Sequence, residues 1–360
     1  MKVFFDSLLP MLLLQEDKIQ ILEEYRNLLP LTFVSNNSIE FINEMESNVG
    51  FIDKMINLYL EGVSNGSIQY TDDEKESDFE TLKKIHSFHL SENDLLNVYE
   101  WGNATDNALL IVLPIGTPHL IMKKWINLLV KDFRIICWET IGMFLPTVNN
   151  STIDLTINRQ LNDISLIIEK LSLTSFHVFG VCQGANLSLL IAEKFEKETK
   201  SVSLWHGDYH LEPEKLTFIQ QNFYAMIKIA EKQTDLSFYR HIMFNPKSLN
   251  KLLEEYSFQI LPLILYPYTT LNTFNHFVRI ISEFIQIDIR TIAKKMVQDT
   301  LIVTSNKDIT AHPLGSVEMN QLIQKSELLL SDQGDHIHFF SAPEEYQLRF
   351  QSFIKNLKIA

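Results

Sequence analysis

The stretch Phe176-His-Val-Phe-Gly-Val-Cys-Gln-Gly-Ala-Asn-Leu-Ser-Leu-Leu190 carries a strand into a helix without an intervening loop. Its first half is apolar, β-branched and aromatic, and its second half is a good helix pattern. At the joint stands Gly180-Val181-Cys182-Gln183-Gly184, the pattern G-x-S-x-G with cysteine in the serine position. The spacing has a physical reason. A reactive residue on a sharp strand-to-helix turn needs glycine two residues before and after it, because a Cβ there would collide as strand and helix pass. The turn sets the sulfur at a helix N-terminus, where free N–H groups and the helix dipole favour a thiolate. The N–H of Gln183 then points to where an oxyanion would form.

Two downstream segments supply partners in a definite order. Leu301-Ile-Val-Thr-Ser-Asn-Lys-Asp308 reads as a strand that ends in an acid. Leu328-Leu-Leu-Ser-Asp-Gln-Gly-Asp-His336 reads as a strand end, a glycine and a histidine before the last helix. In this reading His336 takes the thiol proton, and Asp308 holds its ring and stabilises the imidazolium. His338 rivals His336 two residues on, and His336 is preferred. Asp335 rivals Asp308, but it adjoins the histidine. Pro114-Ile-Gly-Thr-Pro-His119 follows an apolar run directly. There Gly116 allows backbone to approach a substrate, and Thr117 is the candidate second oxyanion donor. His206, just past a strand end, is the candidate for substrate contact. No His/Cys/Asp/Glu grouping has metal-ligand spacing, so no metal and no other cofactor is expected. Cys137 reads as an inert core thiol.

Around this centre, apolar runs alternate with helical patterns. The runs are Ala108–Leu113, Phe133–Trp138, Ser175–Phe179, Ser201–Trp205, Thr300–Thr304 and Glu327–Leu330. The helical patterns are Met122–Lys131, Asn158–Leu171, Asn186–Lys197, Pro313–Ile323 and Pro343–Leu357. Alternation of this kind predicts an α/β fold, a mostly parallel sheet with helices on both faces. Lys84–Trp101 predicts a hairpin about the polar turn Ser91–Asp94. Residues 211–296 break the rhythm; they are helical and rich in aromatics, and read as a cap inserted over the site. Residues 1–80 read as a helical extension ending in an acidic, exposed linker from Tyr70 to Thr81. The core is then 81–210 with 297–360. The helical extension leaves docking on the cap, dimerisation of two copies and carrier binding all open.

The chain has 360 residues, 46% of them hydrophobic, and a formal net charge of −14. That balance argues against nucleic acid or an anionic membrane as a partner, since both need clustered Lys and Arg. Two cysteines form no disulfide framework, and a reducing, cytoplasmic location is expected. No run of about 18 apolar residues is present, so no membrane span is expected. The apolar run Leu8–Leu14 follows Asp6, precedes Gln15-Glu16-Asp17 and has no small-residue cleavage site, so it is not read as a signal peptide.

From about Lys84 onward the chain resembles the α/β-hydrolase superfamily in four elements: Ile115-Gly116-Thr117-Pro118, Gly180–Gly184, Asn306-Lys307-Asp308 and Gly334-Asp335-His336. The order nucleophile, acid, histidine is that family's order. The elbow is similar to that of the polyhydroxyalkanoate synthases, with box G-x-C-x-G-G, and Gly334-Asp-His-Ile337 is similar to their G-x-H-I. The second glycine after the box is Ala185 here. The resemblance implies that Cys182 carries an acyl group as a thioester, with His336 as base and Asp308 as its partner. The expected reaction is acyl transfer from a coenzyme A or acyl-carrier-protein thioester to a second nucleophile. The alternatives are hydrolysis of the same intermediate, as a thioesterase, esterase or lactonase, and a non-catalytic binding protein on the same fold.

Overall fold

Continuous apolar runs become strands when helices cover both faces of a parallel sheet. The computed structural model describes residues 79, 82–91, 94–104, 107–143, 153–233, 236–239, 260–268 and 271–357. The helical extension read in residues 1–67 lies outside them. Eight strands, β1 (Lys84–Ser91), β2 (Asp94–Trp101), β3 (Asn107–Val112), β4 (Phe133–Trp138), β5 (Phe176–Val181), β6 (Thr199–Trp205), β7 (Asp299–Ser305) and β8 (Ser326–Ser331), form one sheet. Their order is β1-β2-β4-β3-β5-β6-β7-β8. The predicted hairpin is present: β1 and β2 pair antiparallel, with Ser91 opposite Asp94. β2 also runs antiparallel to β4, and every later neighbour is parallel. β4 and β5 are buried along their whole length.

The predicted helices lie between the strands as α1 (Lys123–Leu129), α2 (Ile157–Lys170), α3 (Gly184–Lys194) and α8 (Pro313–Leu322), with α9 (Glu344–Leu357) after the last strand. Between β6 and β7 come α4 (Phe218–Ala230), α5 (Leu261–Leu265), α6 (Leu271–Ile285) and α7 (Ile289–Lys295). Two compact units divide the chain. One comprises Met1–Lys75, Gly142–Thr152 and Gln233–Phe277; the other comprises Glu76–Ile141, Ile153–Lys232 and Val278–Ala360 and holds the whole sheet. In the first, Tyr268 packs on Phe274 and Phe277, with ring centroids 5.6 and 5.3 Å apart. In the second, Trp125, Phe179, Trp205, Phe339 and Phe350 form one aromatic cluster beside the sheet. Each ring of that kind contributes about 2–3 kcal/mol by leaving water.

Phe79 corrects one expectation. It falls inside the acidic stretch read as an exposed linker, yet it is fully buried. Its N–H donates to Asn127 and its carbonyl accepts from the Trp101 indole at 2.6 Å. Counting charges overlooked a single aromatic anchor.

At the end of β4 a buried acid gives the fold a pH dependence. Tyr99 Oη donates to Glu139, and Asn97 Nδ2 donates to its other oxygen at 3.1 Å. Burial nonetheless pushes the Glu139 carboxyl up to about 7 from 4.5. The folded chain therefore keeps a proton that the unfolded chain releases, and stability falls as pH rises from 4.5 to about 7, by roughly 2–4 kcal/mol. Glu139→Gln is expected to be more stable than the wild type at pH 8, with the difference shrinking towards pH 5. Urea unfolding at both pH values checks this, and parallel pH profiles would rule out Glu139 as the titrating group.

Candidate active site

The strand-to-helix turn is built as its glycines require. Cys182 has φ 54°, a left-handed conformation that costs energy for a residue with a Cβ. Its N–H donates to Trp205 O at 3.0 Å, and its carbonyl accepts from Ala185 at 3.0 Å and Asp208 at 3.2 Å. These bonds hold the strained residue in place. A Cβ on Gly180 would stand 2.1 Å from Ser188 Oγ, and one on Gly184 would stand 2.3 Å from Val112 O. Gly184 faces backbone that cannot give way, so the start of α3 presses on the end of β3. The Gln183 main-chain N–H favours charge on the Cys182 sulfur. Burial raises the Cys182 thiol above its ordinary value, against the pull of His336.

His336 and Asp308 meet across the ends of β7 and β8. His336 Nδ1 lies 2.9 Å from Asp308 Oδ2, and the ring is near enough to the Cys182 sulfur for each to influence the other's charge. A carboxylate only accepts, so Nδ1 carries the proton and the other ring nitrogen is left for the sulfur. Burial opposes charge on His336, and the Asp308 carboxylate beside it works the other way, raising the ring's affinity for a proton. Asp308 is fixed from its other side by the N–H groups of Thr310 (2.9 Å) and Ala311 (2.8 Å), both on Oδ1. Burial would raise its carboxyl, but His336 and His206 hold it well below the usual carboxylate range. The two rivals stand elsewhere. Asp335 accepts from the N–H groups of Ile337 and His338, closing its own turn, and His338 is exposed.

Two expectations for substrate contact are altered. His206 is completely buried behind the acid instead of facing a substrate. Its Nδ1 lies 2.7 Å from the same Asp308 Oδ2, and its Nε2 lies 3.2 Å from Tyr346 Oη. Burial lowers it, so this imidazole is neutral and donates through Nδ1. The Thr117 N–H donates to Pro114 O at 3.1 Å, and Gly116 N–H donates to Thr140 Oγ1 at 3.2 Å. The Thr117 amide, read as the second oxyanion donor, is thus engaged within its own loop, and the Gly116 amide, in a left-handed turn (φ 74°), is taken by a side chain beyond β4. Among the described residues, His206, Asp308 and His336 could also group about an ion, their ligand atoms lying within 4.8 Å of one another. Both ring nitrogens sit at hydrogen-bond distance from a single carboxylate oxygen, a geometry of donors to an acceptor.

Asp208, Gln220 and Tyr224 were not singled out in the sequence. Asp208 is buried beside the turn. Its Oδ1 accepts from Tyr224 Oη (2.5 Å) and Gln220 Nε2 (2.6 Å), and its Oδ2 accepts from Gln183 Nε2 (2.7 Å). Gln183 Oε1 in turn stands 3.1 Å from Cys182 Sγ. Burial raises the Asp208 carboxyl, and its three donors resist that rise. No spacing marks Asp208, and Tyr224 is hidden among aromatics that read as packing. The available signal was only an acid two residues beyond His206, in a chain segment already placed at a strand end.

No family profile matches the chain, and neither does any characterised protein sequence. Solved structures do. A proposed lipase of Acinetobacter baumannii AYE superposes with TM-score 0.60 at 14% identity, over 80% of this chain and 99% of that one. A hydrolase of Pseudomonas aeruginosa PA01 gives 0.57 at 16% identity, over 75% and 98%. The enol-lactonase of Burkholderia xenovorans LB400 gives 0.56 at 13% identity, over 74% and 99%. Among the described residues, no helix is long and apolar enough to cross a membrane. Sheet order, parallel pairing, the turn at Cys182 and these superpositions agree: the chain has the α/β-hydrolase fold.

Proposed function

We propose that this protein is a cysteine-dependent acyl enzyme, acting on esters or thioesters through a covalent acyl-Cys182 intermediate. One observation carries the reading: His336 lies 2.9 Å from Asp308 and near the sulfur of a cysteine on a strained strand-to-helix turn. Cys182 attacks the acyl carbonyl, and its thiol proton passes to His336. Asp308 stabilises the imidazolium that results. The Gln183 N–H is aimed at the developing oxyanion. His336 returns the proton to the leaving thiol or alcohol, leaving an acyl-thioester on Cys182. A second nucleophile, deprotonated by His336, then releases the acyl group.

The lipase, hydrolase and lactonase names of the structural neighbours favour water as that nucleophile. A second reading, transfer to an acceptor from a coenzyme A or carrier-protein thioester, has its own support. Cys182 and His336 are 6% and 5% exposed, and a buried thioester is protected from water until an acceptor enters. Incubation with a panel of acyl thioesters and esters, followed by intact-protein mass spectrometry, separates the cases. An acyl adduct that requires Cys182 and persists until an acceptor is added supports transfer. Release of thiol or alcohol without a lasting adduct supports hydrolysis. Adduct formation or turnover retained in full by Cys182→Ala would remove the cysteine from the mechanism.

A further inference from the structure

Asp208 has a consequence for the sulfur that follows from hydrogen-bond bookkeeping alone. All three groups on its carboxylate are donors, and a carboxylate cannot donate. Gln183 must therefore turn its NH2 towards Asp208, which leaves its carbonyl oxygen, Oε1, against Cys182 Sγ at 3.1 Å. A carbonyl oxygen can accept from a thiol, but it repels a thiolate. The neighbouring main chain ties these groups into one assembly: Asp208 N–H donates to Cys182 O, and Asn186 Nδ2 donates to Asp208 O at 2.7 Å.

The geometry points to Asp208 as a positioning residue that fixes the Gln183 amide with its oxygen on Cys182, holding the nucleophile as a thiol in the resting site. This rests on Cys182 being the nucleophile. The Tyr224–Asp208–Gln183 chain makes α4 part of the same lock. A ligand that shifts Tyr224 or rotates Gln183 frees the sulfur to give its proton to His336. The charged and titratable groups about this assembly are His336 and Tyr224, which face both Cys182 and Asp208, and Tyr209 and His210, which face Asp208.

Asp208→Asn tests it with little steric change. Asparagine can keep Oδ1 for Tyr224 and Gln220 and place its NH2 where Oδ2 stood, so Gln183 turns over and presents Nε2 to the sulfur. Loss of a nearby negative charge acts in the same direction. Iodoacetamide alkylation, mapped to Cys182 by peptide mass spectrometry across pH, is the readout. The variant is expected to react about tenfold faster at pH 7, as for a thiolate midpoint one unit lower. Gln183→Leu, which removes the amide, is expected to react severalfold faster and serves if the first variant does not fold. Reaction at wild-type rate in both folded variants overturns the inference and leaves the acyl-enzyme reading standing. Cys182 inert in the wild type and in both variants overturns the two together.

Discussion

Asp308→Asn is expected to lower turnover about 10³–10⁴-fold while leaving a folded protein. The carboxylate offers Oδ1 to the N–H groups of Thr310 and Ala311 and Oδ2 to two histidine Nδ1 atoms. Those amides fix which side of an asparagine must be the oxygen. Its NH2 then replaces Oδ2 and faces His336 Nδ1 and His206 Nδ1. Each ring has to give up its Nδ1 proton to accept, and the proton moves to Nε2. His336 in that tautomer cannot receive the Cys182 proton. The loss should appear in kcat and in kcat/KM together, because the missing interaction acts on the transition state. Thermal unfolding tells this outcome from collapse of the site. Turnover within tenfold of wild type in the folded variant would mean that Asp308 does not set the tautomer.

Most of the sheet was legible in the sequence because a parallel strand covered on both faces announces itself as an apolar run. Phe133–Trp138 became β4 to the residue, and Ser201–Trp205 became all but the first two residues of β6. The turn at Cys182 was legible for a related reason: backbone crowding leaves room only for glycine at 180 and 184. Asp308 and His336 followed from chain order, and the structure brings them together with Cys182. What was not legible depends on burial and on which atom faces which. The Thr117 amide is spoken for by a turn and the Gly116 amide by the Thr140 side chain, neither of which a pattern reveals. Asp208 is a lone acid in sequence, and only the packing of α4 onto the elbow makes it a hub for three donors. His206 was noticed for the right reason, its place past a strand end. The direction in which its ring turns decides its role, and a left-handed backbone at φ 47° sets that direction.

His206 is accordingly expected to matter for stability through the acid. Asp308 is an ionised group out of contact with water, and two imidazoles on one oxygen and two main-chain N–H groups on the other replace its hydration. Removing a neutral donor from a buried charge typically costs about 1.5–3 kcal/mol. His206→Ala loses that donor and adds a methyl-bearing residue to a left-handed backbone site that alanine does not favour. His206→Asn is the informative contrast. Asparagine tolerates the left-handed region, and its Nδ2 sits close to where the imidazole Nδ1 donates. It should recover about half or more of the lost stability, although it cannot reach Tyr346. The two variants separate further with pH. In wild type the Asp308 carboxyl is held low, so its contribution is complete above the ordinary carboxylate pKa and is lost only as pH falls through the depressed folded value. With one donor gone, the folded pKa rises, and the Ala variant should lose stability at a higher pH than the Asn variant during acid titration. Equal acid-unfolding midpoints for wild type and both variants would show that His206 does not carry the charge of Asp308.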